Sequence, residues 1–159
     1  MQMPRTPDLN EQRNAMKKLE FLIGKWQGEA RMVRGDESVE LIQTEEAQYK
    51  LDGLVLMIEG VGRRKSDGQA VLQALGIVCF DDAEGIYRFR AFNDGRFLET
   101  EMKLLEGDKG MTWGFALGEI ATSSVLRINE RGEWTEHHEL RIAGGSARPL
   151  MDVTVRRSN

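Results

Sequence analysis

The sequence contains very little cysteine and no long apolar run, and both absences exclude whole classes of protein. Cys79 is the single cysteine among 159 residues, so no intramolecular disulfide or thiolate metal cluster can form, which fits a reducing compartment. Neither a run of about 18 apolar residues nor the apolar segment of a signal peptide occurs. These features predict a cytoplasmic protein with no membrane partner. The lack of metal-ligand spacing predicts no metal site.

A dominant charge of one sign is also lacking. The formal net charge is -4 at pH 7, and the charged residues, 30% of the chain, are interleaved in sign. No single-sign field would attract nucleic acid or anionic lipid, so the expected partners are small molecules or other proteins. A chain of this length predicts one domain over residues 1–159, and such a domain buries roughly two-thirds of its unfolded surface.

Apolar spacing divides the chain into a helix and a long strand region. The apolar residues near the N-terminus follow helical spacing, with Asp8 or Thr6 available as a cap and Gly24 just beyond the end. We therefore expect one short amphipathic capping helix over residues 8–23. After it the apolar period changes to 2 and stays there, which predicts strands over residues 24–157.

Turn signals divide the strand region into ten strands. These signals include the pairs Asp52-Gly53, Asp67-Gly68 and Asp94-Gly95. One strand with its turn is longer here than in a β-sandwich, and its length is typical of an up-and-down barrel. If Asp94-Gly95 is a two-residue primed turn, Arg90 faces Glu99 and Phe92 faces Phe97 across the hairpin, and Arg88 likewise faces Glu101. The opposite, apolar side of this hairpin is then the barrel interior. The sequence predicts an all-β, antiparallel up-and-down barrel.

The residues Gly24, Trp26 and Gly28, placed between the helix and the first strand, resemble the opening motif of the calycin superfamily. The likeness is closer to nitrobindin-like proteins and to an uncharacterised bacterial family of lipocalin-like domains, whose motif reads Gly-x-Trp-x-Gly-x-Gly. Ala30 stands at the last position here. The segments "LDGLVL", "RAFNDGRFLE", "WGF" and "GEWTEHHE" also resemble that bacterial family. The resemblance implies a closed ten-stranded lipocalin-like barrel with a ligand-sized interior.

Trp26 is expected to fill the floor of this barrel, because the glycines beside it let the backbone bend and the helix approach closely. An even number of antiparallel strands places the last strand beside the first. Its inward face then carries Met151, Val153, Val155 and Arg157. Arg157 is predicted to stack on the Trp26 ring, similar to the Trp and Arg pair of the calycins, and Arg156 would replace it if the strand contains a bulge.

The stretch "EWTEHHELRI" carries the most suggestive polar residues. Alternation places Trp134, Glu136 and His138 inward, and it places His137 outward as a solvated residue. Glu136 and His138 are close enough to interact directly or through one water. They either orient a ligand in an apolar cavity or satisfy each other within a packed interior. Ser123 and Ser124 have no base within their own strand that would mark a nucleophile.

Other inward positions suit a hydrophobic or aromatic ligand, or simply a barrel core. They are Leu54, Leu56, Ile58, Tyr87, Phe89, Leu98, Met102, Trp113 and Phe115. From all inward positions, the predicted ligand-binding set is Glu136, His138, Trp134, Tyr87, Phe89, Trp113, Phe115 and Met102. The main prediction is a protein that holds a small hydrophobic molecule in the barrel, with catalysis not expected.

Three alternatives remain open. Glu136 and His138 would act as an acid–base pair in an enzyme, or a filled barrel would act as an interaction protein. The third is haem binding, because nitrobindin-like proteins bind haem through a histidine near the chain's end. No histidine follows His138 here, so no residue corresponds to that haem ligand. His138 is a candidate haem ligand in its own right. No other cofactor is expected.

The outward side of strand 69–80 must be covered by the helix or by a second subunit, which makes a homodimer an alternative to a monomer.

Overall fold

The N-terminal segment forms a helix that is shorter than predicted. The structure is a computed structural model and describes residues 3–107 and 109–159. Helix α1 spans Leu9–Lys17, and the Asp8 side chain caps it by accepting a 3.0 Å hydrogen bond from the backbone N–H of Glu11. A 3-10 turn, Glu20–Leu22, follows. The 3-10 turn is wound more tightly than an α-helix, and it directs Leu19 and Leu22 toward the core, where both are fully buried.

Ten strands follow the helix and close into a barrel. They are β1 Gly24–Arg34, β2 Glu37–Lys50, β3 Val55–Arg64, β4 Ala70–Asp81, β5 Ile86–Asn93, β6 Arg96–Leu104, β7 Gly110–Leu117, β8 Ile120–Ile128, β9 Trp134–Ile142 and β10 Arg148–Arg157. Each strand is antiparallel to the next in sequence, and β10 closes the barrel against β1. The predicted fold class is confirmed.

The β5–β6 hairpin has the predicted register. Arg90 pairs with Glu99 at 2.8 Å, and Phe92 lies opposite Phe97. Asp94 and Gly95 both have positive φ, as a two-residue primed turn requires. Arg88 lies opposite Glu101, as expected, but its guanidinium makes its ion pair with Asp81 at 2.9 Å.

The barrel wall has one short ladder. Within the described residues, β6 and β7 pair only through Lys103 with Thr112 and Leu104 with Met111. The other neighbouring strands pair along most of their length. The seam between β6 and β7 is therefore the least hydrogen-bonded part of the wall.

Helix α1 closes one end of the barrel. Tyr49 and Tyr87 donate their hydroxyl hydrogens to the carbonyl oxygens of Met16 and Ala15, at 2.6 and 2.7 Å. Met16 is fully buried beneath them. Apolar contacts and hydrogen bonds thus hold the helix against the strand ends, and the cavity described below lies toward the other end.

The helix also contacts β4, and Asp82, the residue after this strand, accepts hydrogen bonds from the backbone N–H of the cap residue Asp8 and from the side chain of Gln12. The outward residues of β4 that were expected to need cover are half-buried; they are Val71, Leu75, Ile77 and Cys79. A homodimer remains a prediction. None of the helices in the described part of the chain is long and apolar enough to cross a membrane.

Candidate functional site

The interior of the barrel contains a cavity of about 530 Å³. At one end its lining includes Arg34, Asp94, Arg96 and Leu117, which lie at the hairpin tips away from α1. At the other end it includes buried polar side chains from β2 and β8 and half-buried polar side chains from β9. The cavity therefore runs from the rim of the barrel to a polar inner end.

Aromatic rings from β5 and β7 form much of the cavity wall. Phe89 packs edge-on against Trp113 with 5.2 Å between ring centroids, and Phe115 lies 6.1 Å from Phe89. All three line the cavity, together with Ile58 and Leu98. Strand alternation had placed each of these side chains inward.

The remaining predicted ligand contacts lie in the core near the helix and outside the cavity lining. Trp134 is fully buried and packs edge-on against Trp26 at 5.4 Å. Tyr87 donates to the helix, and Met102 lies opposite it on β6. The expected ligand role of these three residues does not agree with their position, because alternation identifies the inward face of a strand but not the height along the barrel axis. Leu54 lies in the turn before β3.

Trp26 forms the floor of the barrel with Arg157. The two residues are opposite each other in the β1–β10 ladder, and the Arg157 guanidinium carbon lies 4.2 Å from the Trp26 ring centroid. Arg157 also donates to the carbonyl oxygens of Ile23 and Phe21, at 2.6 and 2.9 Å. The Trp26 indole N–H donates to the Leu22 carbonyl at 2.9 Å. This arrangement joins the 3-10 turn to the closing strands.

A chain of hydrogen bonds crosses from β8 to β9 at the inner end of the cavity. Ser124 Oγ lies 2.6 Å from His138 Nδ1, and His138 Nε2 lies 2.7 Å from Glu136 Oε2. The other Glu136 oxygen accepts a 2.9 Å hydrogen bond from the Trp134 indole. An ionised carboxylate can only accept, so in the neutral tautomer that fits these contacts His138 carries its hydrogen on Nε2 and accepts the Ser124 hydroxyl at Nδ1. Ser124 lies directly opposite His138 in the ladder, which explains why a search within one strand missed it.

Strand β2 contributes two further polar residues that the sequence analysis did not select. Gln43 and Glu45 are 1% and 8% exposed, and the Gln43 amide donates to Glu45 Oε1 at 2.7 Å. Gln43 Oε1 is buried and has no hydrogen-bond partner among the described residues. Gly60 and Gly62 lie opposite, and a Cβ at either would meet the Glu45 or Gln43 side chain at 2.8 Å. The glycines of β3 therefore make the room that these side chains occupy.

The inner end of the cavity is electrostatically unusual. Burial raises the pKa of the Glu45 carboxyl well above its ordinary value, and the negative charge of Glu136 raises it further. The hydrogen bond from Gln43 acts in the opposite direction without cancelling these effects. Glu45 is therefore held toward its neutral form beside a second acidic side chain.

His137 lies on the outside of β9, in agreement with its expected orientation. Its ring nitrogens contact Asp152 at 2.6 Å and Glu139 at 3.1 Å, and both hydrogen bonds raise the pKa of the imidazole. The pair of neighbouring histidines thus divides between two environments. Only His138 reaches the cavity.

The arrangement around His138 does not fit a haem ligand. Both of its ring nitrogens are engaged, one with Ser124 and one with Glu136, so an iron atom would have to displace one of these partners. Within the described residues there is also no group of three or more His, Cys, Asp or Glu side chains that could hold a metal ion.

Comparison with known proteins supports the fold. No protein-family model matches the sequence, and no curated protein matches it either. The structure is similar to the crystal structure of Rv2717c from M. tuberculosis, with a TM-score of 0.68, 15% sequence identity, and coverage of 91% of this chain and 98% of that one. At this identity the likeness shows the fold alone, which is a closed ten-stranded antiparallel barrel.

Proposed function

We propose that this protein binds a small hydrophobic or aromatic molecule inside its barrel. The observation that carries the proposal is the cavity of about 530 Å³, whose aromatic wall leads to a cluster of buried polar groups. Binding sites for small molecules typically have volumes of about 300 to 1,000 Å³, apolar walls and a few convergent polar groups. A filled barrel that serves only as an interaction protein would have its interior closed by side chains.

The polar cluster at the inner end of the cavity would fix the orientation of a bound ligand. Glu136 and His138 extend into the cavity from β9, and Gln43 and Glu45 extend into it from β2. A ligand that places a polar group among them and its apolar body against Phe89 would be held in one direction. Polar contacts of this kind fix orientation, whereas the apolar wall provides most of the affinity.

The rim and the seam provide a route for entry. Leu117 and Ile120 at the rim are 64% and 46% exposed, which leaves apolar surface at the mouth of the cavity. The short β6–β7 ladder begins at Lys103 and Thr112 and does not continue to the rim. A ligand can therefore enter by separation of strands that few hydrogen bonds hold together.

Filling the cavity should abolish binding. Ala91 lines the cavity from β5, so Ala91→Phe places a ring where the ligand would lie. Ala121 is exposed on β8, and Ala121→Phe adds the same ring outside the barrel. In a titration with the fluorescent probe N-phenyl-1-naphthylamine, we expect Ala91→Phe to weaken binding by about tenfold or more and Ala121→Phe to bind like the unchanged protein. Equal binding by all three proteins would contradict an interior site.

A second candidate function is acyl transfer, and the hydrogen-bonded order Ser124, His138, Glu136 favours it. Nucleophilic hydroxyls are activated by an adjacent base that a third group orients. Here Ser124 Oγ would attack the carbonyl carbon of a bound ester, its proton would pass to His138 Nδ1, and the leaving alkoxide would take that proton. Water would then hydrolyse the acyl group from Ser124.

Ser124→Ala tests this second candidate, with Ser123→Ala as the matched control. Ser123 is the exposed neighbour on the same strand. If the candidate is right, the unchanged protein hydrolyses p-nitrophenyl butyrate with an initial burst. Ser124→Ala then removes the burst and lowers the rate of hydrolysis by about a thousandfold, whereas Ser123→Ala leaves both unchanged. Hydrolysis that is equal in both variants would exclude Ser124 as a nucleophile.

A further inference from the structure

The inner end of the cavity combines acidic side chains with an unmatched acceptor. Glu45 on β2 and Glu136 on β9 interact electrostatically across the interior. Among the described residues that line the cavity, the basic side chains Arg34 and Arg96 lie at the rim, and His138 is bound to Glu136. A ligand group at the inner end therefore meets two carboxyl groups and no lysine or arginine.

Gln43 provides an independent indication of the group that belongs there. Gln43 lines the cavity, its side chain is 1% exposed, and its buried Oε1 has no hydrogen-bond partner among the described residues. Buried acceptors in folded proteins almost always have a donor, because an acceptor that is buried without one loses the free energy of its hydrogen bonds to water. The Gln43 amide N–H donates to Glu45, and a donor that enters the cavity would supply the partner that Oε1 lacks.

We propose that this inner end binds the protonated amino group of an arylalkylamine, with the aromatic body of the amine against Phe89, Trp113 and Phe115. The inference rests on the proposed ligand-binding function and names its ligand class. An ammonium group has three donors and no acceptor. It matches three acceptors that come from two strands: Gln43 Oε1, the Glu45 carboxyl and the Glu136 carboxyl.

Other head groups fit this end less well. A carboxylate or phosphate would be repelled by Glu136 and would find no cation beside it at this depth. An alcohol supplies one donor and no charge, so it would leave part of the acceptor set unmatched. Charge-assisted hydrogen bonds are about twice as strong as neutral ones, which favours the ammonium group in this buried setting.

Binding of the amine should release a proton. In the free protein Glu45 is held toward its neutral form, whereas an adjacent ammonium favours the ionised form. Affinity for the amine therefore rises with pH until Glu45 is ionised in the free protein as well. Among the described residues, Glu136 acts on Glu45 electrostatically, and Glu136 and its hydrogen-bond partner His138 line the same cavity. The ladder neighbours of Glu45, Trp26 and Gly60, carry no charge.

The test compares three compounds of one shape: 3-phenylpropylamine, 3-phenylpropan-1-ol and 3-phenylpropanoate. Each is titrated by calorimetry and by displacement of N-phenyl-1-naphthylamine. We expect the amine to bind about tenfold or more tightly than the alcohol, and the carboxylate to bind weakest. Between about pH 5 and about pH 8 the affinity for the amine should rise while that for the alcohol stays constant.

Glu45→Gln and Glu46→Gln serve as a matched pair of variants. Glu46 is the outward neighbour on the same strand. Glu45→Gln resembles the neutral carboxyl that the free protein already holds, so the barrel should remain folded, which a thermal melt checks. It should weaken amine binding by about tenfold and remove the pH dependence, whereas Glu46→Gln should do neither.

Three outcomes are decisive. Preference for the amine that depends on Glu45 supports the proposal. Equal or weaker binding of the amine relative to the alcohol, with the probe still displaced, overturns it and leaves interior ligand binding intact. Failure of the probe and of all three compounds to bind overturns both this proposal and the proposed function.

Discussion

Gly28→Ala is expected to destabilise the barrel by at least about 3 kcal/mol, because no space exists for a side chain at this position. A Cβ on Gly28 would lie 2.1 Å from the Thr154 carbonyl oxygen and 2.8 Å from the Val155 Cα. Both atoms belong to the backbone of β10, so no rotamer change can relieve the overlap. Strands β1 and β10 would have to separate where the barrel closes. The measurement is the free energy of unfolding in urea.

Gly35→Ala is the control for Gly28→Ala. Gly35 has a φ of +62° in the β1–β2 turn, and no heavy atom lies within 4 Å of its Cβ position. Alanine there is expected to cost only about 1 kcal/mol, from backbone strain alone. If Gly28→Ala and Gly35→Ala were equally stable, close approach of the backbones would not be the reason for glycine at position 28.

Trp26→Ala is expected to lower the free energy of unfolding by about 3 to 5 kcal/mol. The side chain is 1% exposed, packs against Trp134, lies under Arg157 and donates to Leu22. Its removal leaves a void at the floor and ends the hydrogen bond to Leu22 in the 3-10 turn and the stacking contact with Arg157 of β10. Chemical denaturation followed by far-UV circular dichroism measures the loss.

Trp113→Ala provides the comparison for Trp26→Ala. Trp113 is half-buried and faces the cavity, so one side of its ring already lacks packing partners. Trp113→Ala should lower the free energy of unfolding by about half as much as Trp26→Ala, or less. Equal losses in the two variants would contradict the role of Trp26 as the floor of the barrel.

The local pattern of the chain was sufficient for most of the fold. Alternation in β5 and β6, together with the Asp94-Gly95 turn, predicts the pairing of Arg90 with Glu99. The helix was predicted too long, because apolar spacing continues through the 3-10 turn at Glu20–Leu22. A 3-10 turn and an α-helix place apolar residues at similar intervals, so spacing alone does not distinguish them.

The candidate site was predicted less completely than the fold. Glu136 and His138 were found because apolar neighbours in β9 mark the inward face. Gln43 and Glu45 were missed because β2 is polar on both faces over this stretch. The available signal was alternation from Leu41, which is fully buried and shares their face. Ser124 was missed because its partner, His138, lies on the neighbouring strand.

By itself the sequence determined which side chains face inward and which strands are neighbours, since alternation and turn type are local properties of the backbone. Only the tertiary structure decided how high each inward residue lies in the barrel. That height separates Phe89, which lines the cavity, from Trp134, which packs into the floor. It also brings Glu45 within electrostatic range of Glu136. Distances across a closed barrel depend on how all ten strands tilt and close together, which no single stretch of sequence specifies.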